Sequence, residues 1–362
     1  MIRILMDGRA MGTRPSGIGM YIYTLVEALR KYPDLQFTLT TDVAESEEIR
    51  KLKQSGVEIL ESGKQTRKNF GIFSYYYFVQ RAIDSIKPDI FWEGNNLCPI
   101  RMKNPGGRMY VTVYDMFPLS HSSHFMKIYP LYFRYGMKKT VRYFDKIIYD
   151  SFDCRKHTED YFPEARKKDN FVGYIVVKKM PDIPVTDNGS FLYIGNLETR
   201  KGTDILLKAY QKYCAEGGER PLRLAGKVRD RIIADLLEET EKKTDNIQYL
   251  GYVTEEQKAN EYASCHAFLF PSRAEGFGIP VVEALAYHKP VIACELAALK
   301  EIAGDSVTYF PLSADSSDCL CGLMKKDQYS ADPGKCDEVV SRYSEEKIGR
   351  SYYEMIKQDL GK

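Results

Sequence analysis

The sequence of 362 residues contains no run of eighteen apolar residues, so no segment of it is expected to cross a membrane as a helix. It opens on a strand-like segment, Ile2-Arg-Ile-Leu-Met6, without the charged-then-apolar pattern of a secretory signal. Its eight cysteines form no CxxC pair and lack the density of a disulfide scaffold. They read as reduced thiols of a cytoplasmic protein, with no zinc spacing. There is no repeat at solenoid periods and no low-complexity stretch. No Gly-Lys-Ser/Thr follows the glycine-rich segments, which excludes a Walker A loop, and no G-x-G-x-x-G appears, which argues against a nicotinamide dehydrogenase. Asp-x-Asp is also missing, so nothing suggests a divalent metal bridging a diphosphate, and no cofactor is expected.

What is present is the balance of a soluble globular protein, 44% apolar and 28% charged, with length enough for two domains. The net charge of +2 is unevenly placed. Residues 1–180 hold 29 Lys/Arg against 20 Asp/Glu, and residues 181–362 hold 23 against 30. The basic half suits an anionic partner: a nucleic acid, a phosphorylated acceptor or an anionic membrane. No nucleic-acid recognition motif accompanies it, and the acidic second half opposes that reading.

Short apolar runs alternate with helical periods in both halves, the pattern of parallel sheets covered by helices. Strands are expected at Ile2–Met6, Phe37–Thr41, Asp89–Trp92, Tyr110–Tyr114 and Lys146–Tyr149. A second set is expected at Phe191–Ile194, Leu222–Ala225, Ile247–Tyr249, Ala267–Phe270 and Pro290–Ala293. Helices fall between the latter at Thr203–Cys214, Arg231–Lys242, Glu255–Ser264 and Val281–Tyr287. Breaks at Val177–Gly189 mark the domain boundary. The expected domains are 1–176 and 185–343, with a last helix within 344–362 packing back on the first.

Three segments carry chemistry. In Pro271-Ser-Arg-Ala-Glu-Gly-Phe-Gly-Ile-Pro-Val-Val-Glu-Ala284, a strand gives way to a helix with Pro280 in its first turn. Gly276 and Gly278 allow close backbone approach to a ligand, and the helix start offers N–H groups. Glu283 in the first turn could accept hydrogen bonds from a vicinal diol, or serve only the helix dipole; Glu275 could be a surface charge. In Tyr193-Ile-Gly-Asn-Leu-Glu-Thr-Arg-Lys-Gly202, Arg200 and Lys201 stand beside a helix start, either to neutralise a diphosphate or as a solvated pair. The loop Gly8-Arg-Ala-Met-Gly-Thr-Arg-Pro-Ser-Gly-Ile-Gly19 follows the first strand, at the end of a doubly wound sheet where ligands bind.

The order and spacing of these pieces resemble the large retaining GT-B glycosyltransferase family numbered four, including its bacterial mannosyltransferase-like members. Ser16-Gly-Ile-Gly-Met-Tyr21 looks like the family's glycine loop, Gly195–Gly202 its phosphate-binding turn, and Glu275 to Glu283 its E-x7-E motif. Leu250-Gly-Tyr-Val-Thr-Glu255, with Val253, resembles the segment lining the nucleotide base. The resemblance implies an α/β GT-B fold, two Rossmann-like domains facing a central cleft. It implies transfer of a hexose from a nucleotide-diphosphate sugar to a glycan or polyprenyl-diphosphate-linked acceptor, with retention and without metal. By the same resemblance Arg200, Lys201 and Lys227 bind the diphosphate and Glu283 the ribose. Glu275 and the backbone of Gly276, Phe277 and Gly278 contact the sugar, and Gly17 lets the first loop approach the β-phosphate.

Two positions depart from the family. Asn196 stands where a second basic residue is usual, and Tyr114, before Asp115 in Val111-Thr-Val-Tyr-Asp-Met116, stands where relatives carry a histidine. Tyr114 and Asp115 are therefore catalytic candidates, with His121 or His124 as replacements from the next loop and a core tyrosine as the plain alternative. Cations and rings interleave at Lys64–Phe78 and Lys127–Phe144, which suits contact with an anionic membrane at its inner face, or core rings with solvated cations. Other readings are a sugar-nucleotide epimerase on the same fold, and a catalytically silent subunit that binds a membrane or partner.

Overall fold

The first six-residue strand shows why the N-terminal region folds as it does. In Ile2–Asp7 all but Arg3 are buried, as required of a strand covered on both faces. The computed structural model describes residues 1–63, 66, 71–120 and 128–362. His121, His124 and the starts of both cation–aromatic stretches lie outside these residues.

The chain divides into two units, one of residues 1–178 with 343–362, the other of residues 179–342. The first runs β1 (Ile2–Asp7), α1 (Gly17–Leu29), β2 (Leu35–Thr41), α2 (Glu47–Gln54), β3 (Glu58–Glu61), α3 (Gly71–Ile86) and β4 (Ile90–Glu93). It continues with β5 (Arg108–Val113), α4 (Phe117–Ser120), α5 (Ile128–Tyr143), β6 (Lys146–Tyr149), α6 (Phe152–Tyr161) and β7 (Asp169–Val172). Its seven parallel strands lie in the order β3-β2-β1-β4-β5-β6-β7, so the topology reverses between β1 and β4.

The second unit runs β8 (Phe191–Ile194), α7 (Thr203–Ala215), β9 (Leu222–Ala225), α8 (Arg231–Lys243), β10 (Ile247–Gly251) and α9 (Glu255–Ser264). Then come β11 (Ala267–Phe270), α10 (Ile279–Leu285), β12 (Val291–Cys294), α11 (Ala297–Ala303), β13 (Thr308–Phe310), α12 (Ser316–Lys326) and α13 (Pro333–Arg342). Its six parallel strands lie in the order β10-β9-β8-β11-β12-β13, reversing between β8 and β11. Helix starts follow local capping: the Asp230 carboxylate accepts from the Ile233 N–H, and Thr254 forms a reciprocal box with Gln257.

The final helix, α14 (Glu345–Asp359), belongs to the first unit. Asp359 accepts hydrogen bonds from Tyr110 Oη at 2.6 Å and from both arms of Arg108 at 3.0 Å, and Lys146 Nζ lies 3.1 Å away. The Tyr352 hydroxyl donates to the Gly173 carbonyl and lies 2.8 Å from Tyr21 Oη.

Three strands escape the sequence pattern, β3, β7 and β13, each three or four residues long and each at or next to a sheet edge. Helix α10 starts two residues before the expected Val281 and ends at Leu285. The cation–aromatic stretches fold largely as α3 and α5, and their large apolar side chains divide. Tyr75, Tyr76 and Phe133 enter the core, while Phe73, Tyr77, Ile128, Leu131, Tyr132 and Tyr135 remain exposed.

Candidate functional site

In the second unit, β8 and β11 are neighbours at the reversal of strand order, and the turns leaving their carboxyl ends meet. Lys201 Nζ donates to both oxygens of Glu275, at 2.7 and 2.9 Å. The Glu275 side chain is only 8% exposed, so its charge relies on that ammonium. Arg200 donates to Glu198 Oε1 at 2.6 Å and reaches the Ala274 carbonyl at 3.4 Å. Arg273 holds the first turn of α7 by pairing with both oxygens of Asp204 at 2.5 and 2.7 Å, and donates to the Thr199 carbonyl. The two turns are thus one stitched structure.

Glycine is obligatory at their closest approach. Gly202 has φ +67, and a Cβ there would stand 1.8 Å from the Pro271 carbonyl oxygen. Gly278, at φ +94, caps α10 in the left-handed region. Gly276 is half-buried and Phe277 is buried between these positions.

Glu283 lies in the second turn of α10, whose first turn holds no acidic residue, so it does not serve as a first-turn partner of the helix dipole. Its carboxylate is held instead from α9. Lys258 Nζ donates to Oε1 at 2.8 Å and the Tyr262 hydroxyl to Oε2 at 3.0 Å. Burial alone would lower the Lys258 ammonium, but Glu283 and Glu255 outweigh it and hold it above its ordinary value. The Tyr262 phenol is pushed up, first by burial and then by Glu283. Lys258 and Tyr262 were not singled out in the sequence; their i, i+4 spacing on one helix face was the available sign.

Lys227 is exposed and lies 5.7 Å from the Tyr252 ring, and Val253 is half-buried between β10 and α9. Asn196, the departure beside the phosphate turn, uses its carbonyl to accept from Tyr193. Its side-chain oxygen faces Arg229 Nε at 3.5 Å, so a cation does stand at this turn, supplied from the segment after β9.

In the first unit the residues separate. Tyr114 is buried, its hydroxyl donating to the Gly94 carbonyl at 2.7 Å and its ring meeting Tyr21 edge to face. Burial, and then Tyr21, push its phenol well up, so this is the core tyrosine of the plain alternative rather than an exposed donor. Asp115 accepts the Phe117 N–H at 3.1 Å and so starts α4. Gly17 opens α1 with free space where a Cβ would go; the glycine demanded by packing is Gly19, whose Cβ would stand 2.4 Å from the Ala10 carbonyl oxygen. The structure also shows a buried set absent from the sequence reading, Asp7, Arg9 and Glu93. No group of three or more His, Cys, Asp or Glu able to hold a metal ion occurs among the described residues.

The second unit is thus a parallel doubly wound domain with a cation–carboxylate pair at its switch point, the place where ligands of this architecture bind. Residues 179–319 match the family described as Glycosyl transferases group 1. The O-antigen chain mannosyltransferase B of Escherichia coli is 32% identical over 198 residues, 48% of this chain and 52% of that protein. The serotype-specific mannosyltransferase WbdA of Escherichia coli is 32% identical over 129 residues, 35% of this chain and 16% of that protein. The chain therefore spans about half the length of one curated relative and far less of the other.

Among solved structures, Anabaena HepE in complex with UDP and glucose superposes with TM-score 0.74 at 15% identity, covering 99% of this chain and 100% of that one. Sucrose-phosphate synthase from Thermosynechococcus elongatus gives 0.73 at 15% identity, with full coverage of both. These likenesses establish the fold as GT-B, with two Rossmann-like domains.

Proposed function

We propose that the protein is a retaining, metal-independent glycosyltransferase that moves a hexose from a nucleoside diphosphate sugar to a glycan or polyprenyl-diphosphate-linked acceptor. The observation that carries this reading is the Lys201–Glu275 pair, seated at the switch point with Arg200 beside it and Glu283 presented from α10. Lys201, Arg200 and Arg229 neutralise the diphosphate as it departs, and Glu283 accepts from the ribose hydroxyls. Glu275 and the backbone of Gly276–Gly278 hold the sugar. The bond from the anomeric carbon to the diphosphate oxygen breaks, the acceptor oxygen bonds to that carbon on the same face, and its proton passes to the departing phosphate. The chain's work is then positioning and charge stabilisation.

The acceptor is assigned to the basic first unit. Exposed Phe73, Tyr77, Ile128, Leu131, Tyr132 and Tyr135, with Arg134, Lys138, Lys139 and Arg142 on α5, support peripheral contact with an anionic membrane at its cytoplasmic face. Among the described residues no helix is long and apolar enough to cross one. The mannosyltransferase relatives make GDP-mannose the first donor to try, and the UDP complex of HepE makes UDP-sugars the second. Synthesis of a cell-surface polysaccharide or lipopolysaccharide is the process they suggest.

Calorimetric titration with GDP, UDP and their sugars, in EDTA, tests the reading. Binding of one nucleotide, lost in Lys201→Ala and Glu283→Ala, is the expected result. Folded protein that binds none of them would overturn the enzyme reading in favour of a silent GT-B subunit.

A further inference from the structure

The first unit has its own switch point, between β1 and β4, and the last residues of those strands are both acids. Met6 pairs with Trp92, so Asp7 and Glu93 are the next residues in register and their side chains leave the sheet on one face. Both are fully buried. Asp7 Oδ1 accepts from the Tyr75 hydroxyl at 2.6 Å and from the Arg9 N–H at 3.0 Å. Glu93 Oε1 accepts from the Asn95 N–H and amide at 3.1 and 3.2 Å and from Arg9 at 3.4 Å. Asp7 Oδ2 and Glu93 Oε2 are left without a nitrogen or hydroxyl donor; Arg9 lies 3.1 Å from the former but outside hydrogen-bond geometry. These orphan oxygens belong to neighbouring strand ends, and a proton on one carboxyl is the donor that would satisfy the other.

Charge leads to the same place. Two ionised acids and one guanidinium would leave a net negative charge buried, whereas one shared proton makes the set neutral. We infer that Asp7 and Glu93 share one proton, with Glu93 as the protonated member, and that this pair with Arg9 is a pH-sensitive lock on the loop following β1. Burial, and then Asp7, push the Glu93 carboxyl well above the usual carboxylate range despite Arg9. Among the described residues, the other titratable groups near the set are Tyr75 and Tyr76 on α3, Cys98 after β4, Tyr114 after β5 and Tyr132 on α5. Each is raised, foremost by burial, so each stays neutral through the physiological range. Arg9 is the one cation among these groups.

The lock acts on residues 8–19. Arg9 reaches back from a single 3₁₀ turn, Arg9–Met11, to donate to the Tyr76 hydroxyl at 2.7 Å, and the next residue, Ala10, lies against Gly19 at the start of α1. Losing the shared proton sets two buried like charges against each other under this loop. The assignment stands whatever group the protein transfers.

The test compares the full chain with Glu93→Gln, whose neutral amide can still donate to Asp7. A carboxyl protonated when folded and ionised when unfolded stabilises fully below the ordinary carboxylate range, and that stability drains as pH rises toward its folded value. The wild-type unfolding midpoint is expected to fall relative to Glu93→Gln by about 3 °C for each pH unit above about 5. Amides of residues 8–19 should lose exchange protection with rising pH in the wild type and keep it in the variant. Infrared spectra of the wild type alone should show a protonated carboxyl band at neutral pH. A missing band, parallel pH profiles, or a Glu93→Gln protein that is unstable at every pH or unfolded would overturn the inference, because each describes an ionised Glu93 paired with Arg9.

Discussion

Lys201 and Glu275 lie 74 positions apart in the chain, yet one ammonium touches both oxygens of one carboxylate. If that carboxylate serves the sugar and the ammonium the diphosphate, the two roles separate by substitution. Glu275→Gln should keep nucleotide affinity within about threefold while turnover falls roughly a hundredfold. Lys201→Ala should weaken both, with Lys201→Arg recovering part of the binding. Calorimetry beside steady-state rates distinguishes these outcomes, and parallel loss in Glu275→Gln would refute the division of roles.

Glu283 is held by Lys258 and Tyr262, so its orientation is set before any ligand arrives. Tyr262→Phe removes one charged hydrogen bond and should weaken nucleotide binding several-fold, while Glu283→Gln should weaken it about tenfold, or ~1.4 kcal/mol. A free base without ribose should bind all three proteins equally.

Gly202 and Gly17 offer opposite results from one substitution. Gly202→Ala combines a left-handed backbone with a 1.8 Å clash against the Pro271 carbonyl, and should cost more than about 2 kcal/mol in denaturant unfolding. Gly17→Ala meets open space at the start of α1 and should leave stability unchanged or raise it by up to about 1 kcal/mol. Gly17→Ala that nevertheless loses activity would mark a ligand contact at that position.

Asp359 predicts an acid-side dependence. Burial would raise its carboxyl, but hydrogen bonds from Tyr110, Arg108 and Lys146 outweigh burial and hold it below the ordinary value. Its stabilising contribution is therefore present above the ordinary carboxylate range and disappears as pH falls through the lowered value. The midpoint difference between wild type and Asp359→Asn should be constant near neutrality and shrink in acid. A difference unchanged at low pH would count against this account.

The fold was largely legible because buried parallel strands announce themselves: Lys146–Tyr149, Phe191–Ile194, Leu222–Ala225 and Ala267–Phe270 are bounded as the apolar runs suggest. Edge strands such as β3 and β13 were not, since their residues are only partly buried and three or four long. At the site, glycine and charge spacing marked Arg200, Lys201, Glu275 and Glu283. Spacing can put Lys258 and Tyr262 on one face of a helix but does not say which carboxylate they meet, so their tie to Glu283, and the place of Arg229, emerged only with the tertiary structure. Tyr114 shows the reverse failure, a position marked by its neighbours whose side chain is occupied by the Gly94 carbonyl. The Asp7–Glu93 pair was hidden because its residues are 86 positions apart and join only through strand register.

The return of α14 to the first unit has a consequence for the order in which a ribosome delivers the protein. Residues 179–342 form a contiguous unit, complete once translated. Residues 1–178 emerge earlier yet must wait for Asp359, with Arg108, Tyr110 and Lys146 lacking their common acceptor until that residue is made. Vectorial synthesis thus favours residues 179–342 as the unit that finishes before the one begun ahead of it. Residues 1–178 are left as the nascent region with most need of protection.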